Sequence, residues 1–125
     1  MPATQESPNE RHRLYAELWI SFTALIRSYV AAHDLAMPVA SHVQVEDAEQ
    51  GHLALRSGSR TLALEFDPAQ GTGSWAIYDG DPDHDRVLDR GGFEIDENSR
   101  VAMSDRPGKL ELEVAAEAFT AKVFD

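Results

Sequence analysis

Residues 52–66 read HLALRSGSRTLALEF, and this stretch decides the fold. Apolar side chains alternate with polar or small ones on both sides of Gly58-Ser59, which is the period of two shown by a half-buried strand. The apolar positions are Leu53, Leu55, Leu62, Leu64 and Phe66. A two-residue loop that begins with glycine favours a type II′ turn. The stretch therefore predicts a β-hairpin with one apolar face.

The period of two continues on both sides of this hairpin. Val43 and Val45 precede it, Trp75 and Ile77 follow it, and weaker segments lie further on. We expect Trp75 and Ile77 to share the apolar face of the hairpin, and Gly91-Gly92 to mark a bend or bulge. Turn signals recur at hairpin intervals. The pattern predicts an antiparallel β-meander of five to seven strands.

A long helix is predicted ahead of the strands, from Pro8 to His33. Ser7-Pro8 supplies a cap and a helix-starting proline, and Glu10 follows at the position of a capping box. Two apolar tracks share Phe22; the first is Leu14, Leu18, Phe22, Leu25 and Tyr29, and the second is Tyr15, Trp19, Phe22, Ile26 and Val30. Such a helix is about 39 Å long, more than one face of a small domain needs. We expect the first track to face the sheet. We expect Tyr15, Trp19, Ile26 and Val30 to form a homodimer interface.

The last segment shows two patterns. Residues 109–114 alternate as a strand does, whereas Leu112, Ala116, Phe119 and Val123 have helical spacing. The sequence leaves strand or helix open for 109–114 and favours a C-terminal helix. The predicted fold class is α+β, a two-layer sandwich of helices and an antiparallel sheet. Residues 8–125 are expected to form a single domain, preceded by a flexible N-terminus at residues 1–7.

Composition limits the classes of function. The 125 residues contain 22 Asp and Glu against 11 Lys and Arg, a formal net charge of −11 with most of the acidity in the second half. Direct nucleic-acid binding is disfavoured, because it depends on cations that neutralise phosphates. A basic protein partner, nucleic-acid mimicry and plain solubility all agree with this charge. The sequence shows no signal-peptide pattern, no membrane span and no cysteine, so a cytoplasmic location is expected.

Register arguments outline a candidate ligand site on the polar face of the sheet. If neighbouring strands pair around their turns, one row is Gln44, Ala54, Ala63 and Tyr78, and the next is Glu46, His52, Glu65 and Ala76. His52 between two carboxylates is an arrangement that suits a general base or a cation site. An exposed charge network across strands is the alternative. The candidate ligand-binding residues are His52, Glu46, Glu65, Arg56 and Tyr78.

Two further features of the predicted sheet suggest contacts. The alanines at the centre of the polar face indicate close approach by a helix, a partner or a ligand. Carboxylates alternate in a short acidic stretch, at Asp79, Asp81, Asp83 and Asp85. Over seven residues this stretch resembles the opening of an EF-hand calcium loop, but His84 and Arg90 stand where that loop needs glycine and glutamate. We therefore expect weak cation binding or a flexible acidic loop.

No catalytic constellation stands out, and no cofactor is expected. The serines lack the surroundings of a nucleophile elbow, and the glycines form no phosphate loop. Three hypotheses follow. The first is a small acidic protein-interaction or adaptor module. The second is a small-molecule-binding protein or enzyme with a crevice between helix and sheet, lined by Trp19, Phe66, Trp75 and Tyr78. The third is a nucleic-acid mimic.

Overall fold

A computed structural model describes residues 8–46, 51–58, 60–79 and 86–124, with the backbone alone for Pro8 and Asn9. Along the chain, helix α1 comes first, seven strands follow, and helix α2 comes last. Their bounds are α1 Pro8–Leu35, β1 Gln44–Glu46, β2 His52–Ser57, β3 Arg60–Asp67, β4 Thr72–Asp79, β5 Val87–Ile95, β6 Arg100–Met103, β7 Lys109–Glu111 and α2 Leu112–Phe124. A single 3₁₀ turn, Val39–Ser41, joins α1 to the sheet. The expected flexible N-terminus at residues 1–7 lies outside the described residues.

All seven strands form one antiparallel sheet in the order β1 to β7. Every strand pairs with its neighbours in the chain, so the sheet is the predicted meander. The predicted α+β class, with a long N-terminal helix and a C-terminal helix, is confirmed.

The central hairpin has the register that its turn predicts. Leu53 pairs with Leu64, and Leu55 pairs with Leu62. Gly58 has a φ of 60°, which suits the first position of a type II′ turn. The predicted apolar face is confirmed, because every member is buried: Leu53, Leu55, Leu62, Leu64, Phe66, Trp75 and Ile77.

Both helices cover this apolar face. The ring of Trp19 in α1 stacks on Phe66 in β3, with centroids 5.1 Å apart and planes 8° from parallel. Phe22 in α1 meets Phe119 in α2 edge to face at 5.7 Å. Aromatic pairs in these geometries stabilise a core beyond the area that they bury. The hydrophobic core therefore lies between the sheet and the two helices.

The prediction about which face of α1 meets the sheet is wrong. Tyr15, Trp19, Ile26 and Val30 were assigned to a second subunit, yet they are between 0% and 9% exposed in this chain's own core. The other track, with Leu14, Leu18 and Leu25, is half-buried at the side of the core. Gly71 helps to explain this choice, because a Cβ there would lie 2.8 Å from the ring of Tyr15. The missing side chain leaves space that the larger aromatic track fills.

Both patterns in residues 109–114 correspond to observed secondary structure. Lys109–Glu111 is an edge strand, and α2 begins directly at Leu112. Leu110 pairs with Val101, which continues the apolar face of the sheet. The alternating and helical spacings therefore describe consecutive elements.

A carboxylate fixes the end of α1 to the first strand. The backbone N–H of Val43 donates to Oδ1 of Asp34 at 3.1 Å, and Nδ1 of His33 lies 3.3 Å from the same oxygen. Burial alone would raise the pKa of Asp34, but these hydrogen bonds and the nearby His42 hold its pKa below the ordinary value. His33 in turn stacks on Phe124 at 3.9 Å, which joins the ends of the two helices.

Candidate functional site

The face of the sheet opposite the helices is the candidate site. Ala54, Ala63 and Ala76 lie side by side at its centre, since Ala63 pairs with Ala54 on one side and Ala76 on the other. Gly92 and Ala102 extend this floor of small side chains across β5 and β6. Within the described ranges, no helix lies over this face. We call it the open face.

A depression made of three adjoining cavities crosses the open face. Its main part is a cavity of about 570 Å³ over Ala63 and Ala76, with Glu65, Ser74, Tyr78 and Arg90 around them. A second part of about 400 Å³ reaches Glu94 and Ala102, and a third of about 260 Å³ reaches His52. Neighbouring parts share lining residues, namely Glu65, Thr72, Gly73 and Ser74. We call this depression the groove.

The predicted rows of side chains are wrong outside the central hairpin. Gln44 pairs with Arg56, and Tyr78 pairs with Thr61, so both flanking strands are shifted by two residues from the prediction. The turn after β3 explains one shift. Gly71 has a φ of 71° and its N–H donates to the carbonyl of Asp67 at 2.9 Å. The chain reverses early there, so β4 begins already at Thr72.

The predicted histidine between two carboxylates is therefore not formed. Nδ1 of His52 lies 3.7 Å from Oε1 of Glu65, but Glu46 pairs with Ala54 one row away. The side chains of His52 and Glu65 are 43% and 65% exposed. A pair this open to water contributes at most a few tenths of a kcal/mol. The cross-strand charge network, the alternative stated from the sequence, describes this pair better than a general base does.

Tyr78 and Arg90 form one wall of the groove, and Arg56 lies in the row of Tyr78 on the same face. Arg56 and Tyr78 are the two cross-strand neighbours of Thr61, and Arg90 lies beside Ala76. Thr61 is 1% exposed on this otherwise open face. Among the described residues, the guanidinium groups of Arg56 and Arg90 form no ion pair. The sequence indicated Arg56 and Tyr78 but missed Arg90.

Arg90 was missed because the register of β5 was not predicted. Gly91-Gly92, expected to bend or bulge, continues β5 as a regular strand, with Gly91 opposite Trp75. The irregularity lies earlier, where Ile77 pairs with Asp89 but Tyr78 pairs with Val87. The period of two from Gly92 back to Arg90 is the sequence signal that places Arg90 on the open face.

Carboxylates form the opposite wall. Glu65 lies in the row of Ser74, and Glu94 pairs with Thr72 in the next row. Both side chains are exposed. The groove is therefore bounded by cationic side chains towards one end of the strands and by anionic side chains towards the other.

The predicted cation site falls mostly outside the described residues. Asp79 is the exposed last residue of β4 and pairs with Arg60, whereas Asp81, Asp83 and Asp85 are not described. Where the chain is described, no group of three or more His, Asp or Glu side chains is arranged to hold a metal ion.

The four aromatic residues expected in a crevice between helix and sheet do not share one. Trp19, Phe66 and Trp75 are core residues, and Tyr78 lies on the open face. Trp75 is covered by Lys122, whose Nζ is 4.2 Å from the ring centroid and donates to Oδ2 of Asp105 at 2.6 Å. Burial would raise the pKa of Asp105, but this hydrogen bond and the charge of Lys122 hold its pKa below the ordinary value. A crevice of about 280 Å³ lies beside Lys122, lined also by Arg60, Ile77, Leu88 and Asp89.

Comparison of the chain with protein-family models, with curated proteins and with solved structures finds no match in any of the three. None of the helices in the described part of the chain is long and apolar enough to cross a membrane. The fold and the groove thus define a small α+β domain with one covered and one open sheet face.

Proposed function

We propose that this chain is a small cytoplasmic protein-interaction module that binds a segment of another protein in the groove. The observation that carries the proposal is the groove itself, with its floor of small side chains between two charged walls. Alanine and glycine are poorly suited to strands that merely face water, where longer side chains shield the backbone. Small residues at the centre of a sheet face allow a second chain to approach closely.

The shape of the groove favours a protein segment over a small molecule. It crosses β2 to β6, a width of about 19 Å at the usual strand spacing. Small-molecule sites bury most of their ligand in an enclosed cleft, and this groove is open along its length. The edges of the sheet are less suited to binding an added strand, because β1 and β7 have only three residues each.

A photo-crosslinking experiment tests this function. A benzophenone amino acid replaces Glu94, at the margin of the groove, in the cells that make the protein. The matched control carries the same group at Ser28, which is exposed on α1. We expect a crosslink to a different protein from position 94 but not from position 28, where only a second copy of this chain would be captured. The product from position 94 should be lost when Ala63→Trp fills the groove. Equal products from both positions, or none from position 94, would contradict the proposal.

We also propose that the chain forms a homodimer, but through a different surface from the one that the sequence predicted. Because Tyr15, Trp19, Ile26 and Val30 are buried in the core, we place the second copy against the outer side of α1, where Ile20 is 64% exposed. Light scattering at micromolar concentration tests this part. A mass of 13.8 kDa, that of one chain, would contradict self-association.

A further inference from the structure

Charged groups of both signs line the main cavity, namely Glu65 and Arg90. Some cations elsewhere in the molecule are paired with carboxylates: Lys109 Nζ lies 2.9 Å from Asp96 Oδ2, and Lys122 Nζ lies 2.6 Å from Asp105 Oδ2. Carboxylates outnumber cations two to one in this chain, 22 against 11. Arg56 and Arg90 nevertheless form no ion pair among the described residues. No described carboxylate holds the guanidinium group of Arg90, which is exposed and lines the cavity.

The two walls of the groove carry opposite charges, so they favour opposite charges on a bound segment. Arg90 and Glu65 both line the cavity of about 570 Å³, and Ser74 and Ala76 of β4 lie between them. A uniformly basic segment would place a cation against Arg90, and a uniformly acidic segment would place a carboxylate against Glu65. Each like-charge contact opposes binding. Only a segment that carries both signs satisfies both walls.

The register sets the spacing of those charges. Glu65 lies on β3 and Arg90 on β5, two strands apart and one row of side chains apart along the strand direction. With normal sheet dimensions their Cα atoms are about 12 Å apart. In an extended peptide, side chains on one face that are four positions apart are separated by about 13 Å. A spacing of four positions therefore matches the separation of Glu65 and Arg90 better than a spacing of two positions, which spans only about half as far.

We infer that the groove recognises an extended segment in which an acidic and a basic residue lie four positions apart, with the acidic side chain at Arg90 and the basic one at Glu65. Small residues between the two charges are expected, since the segment passes over Ser74 and Ala76. Tyr78 and Arg56 then contact the part of the segment beyond the acidic residue. This inference rests on the proposed function and adds the chemistry of the partner to it.

Selection from a displayed library of random peptides tests the inference. The library is selected on the wild-type protein, and pools that still bind the Ala63→Trp variant are discarded, which leaves groove-dependent peptides. A second selection uses the double variant Glu65→Lys/Arg90→Glu. Both side chains are exposed, so the double variant is expected to keep the fold, and circular dichroism verifies this.

The expected wild-type pool is enriched in opposite charges four positions apart, and the double variant selects the same spacing with the order of the charges reversed. When peptides selected on one protein are tested on the other, their affinity should be about tenfold lower. This is the effect expected when exposed ion pairs become like-charge contacts. A groove-dependent pool without this spacing, or with the same charges on both proteins, would overturn the inference and leave the proposed function standing. Absence of any groove-dependent pool would overturn both.

Discussion

At the residue scale, Gly91 and Gly92 are adjacent in β5 but have opposite surroundings. A Cβ on Gly91 would lie 2.5 Å from Oγ of Ser104 and 2.7 Å from Cζ2 of Trp75. A Cβ on Gly92 would meet only the carbonyl oxygen of Gly73, at an ordinary 3.6 Å. Gly91 faces the packed side of the sheet, and Gly92 faces the groove.

This difference predicts unequal costs for the same substitution. Gly91→Ala should lower the free energy of unfolding by about 1 to 3 kcal/mol, because the added methyl group overpacks the core around Trp75. Gly92→Ala should change it by less than about 0.5 kcal/mol. Urea denaturation of both variants measures the difference. Equal costs would mean that β5 does not have the register described above.

Asp96 shows how one side chain can hold a turn. Its Oδ1 accepts hydrogen bonds from the N–H groups of Asn98 and Arg100, at 2.8 and 3.0 Å, and its Oδ2 accepts one from Nζ of Lys109 at 2.9 Å. The hydrogen bond from Lys109 is the largest influence on its pKa. Together with the backbone donors, it outweighs partial burial and holds the pKa of Asp96 below the ordinary value.

The lowered pKa of Asp96 gives a prediction with a definite sign. As pH falls, the unfolded chain takes up the proton first, near its ordinary pKa of about 3.9, so the stabilisation present above that pH is lost as pH falls through the lower folded value. Asp96→Asn should reduce the free energy of unfolding at pH 7, and its difference from the wild type should shrink below about pH 4. The exposed neighbour provides the control, since Glu97→Gln should parallel the wild type. Urea titrations between pH 7 and pH 3 make the comparison, and a constant difference would contradict the role of the charge.

At the scale of elements, the sequence predicts structure best where a short turn fixes it. Gly58 determines the register of β2 and β3, and the cross-strand partners inferred from it are the observed ones. The flanking strands are joined by longer loops, whose length does not define where pairing resumes. An early reversal at Gly71 was enough to shift β4 by two residues and to put Tyr78 in the wrong row. The shift of Glu46 arises between β1 and β2, where residues 47–50 are not described.

The buried face of α1 was not predictable for a different reason. Both apolar tracks have helical spacing, so periodicity gives a wide stripe but does not rank its two sides. The tertiary environment decides, because the ring of Trp19 packs on Phe66 and Phe93 with centroids within 6.4 Å, whereas Leu18 contacts the core while only partly buried. Element types follow from local pattern, but the choice between similar faces follows from packing.

The corrected face of α1 predicts the effects of two adjacent substitutions. Trp19→Ala should cost about 3 to 5 kcal/mol of stability, as the loss of a core aromatic ring does. Ile20→Ala should stay within about 0.5 kcal/mol in the monomer, because its side chain is 64% exposed. Thermal and urea denaturation measure both. If Ile20→Ala cost more stability than Trp19→Ala, Trp19 would lie at an interface between subunits, as the sequence predicted.

At the scale of the whole molecule, the two sides of one sheet perform different tasks. The covered side holds the core, where apolar burial stabilises the fold. The open side contributes little to that core, so its residues are free to serve recognition. In this arrangement, neighbouring positions on one strand should differ sharply in what they do for stability and for binding.

Ala63 and Leu64 are adjacent in β3 and test this separation directly. Leu64 is 1% exposed beneath the helices, so Leu64→Ala should cost about 2 to 5 kcal/mol through lost burial and the cavity left behind. Ala63→Leu adds volume to the groove, where Ala54 and Ala76 leave space beside it, and should change stability by less than about 0.5 kcal/mol. The same Ala63→Leu protein should lose affinity for the groove-dependent peptides, measured by fluorescence anisotropy. If Ala63→Leu destabilised the fold as much as Leu64→Ala does, the open face would be packed in the folded protein, and binding in the groove would no longer explain its small side chains.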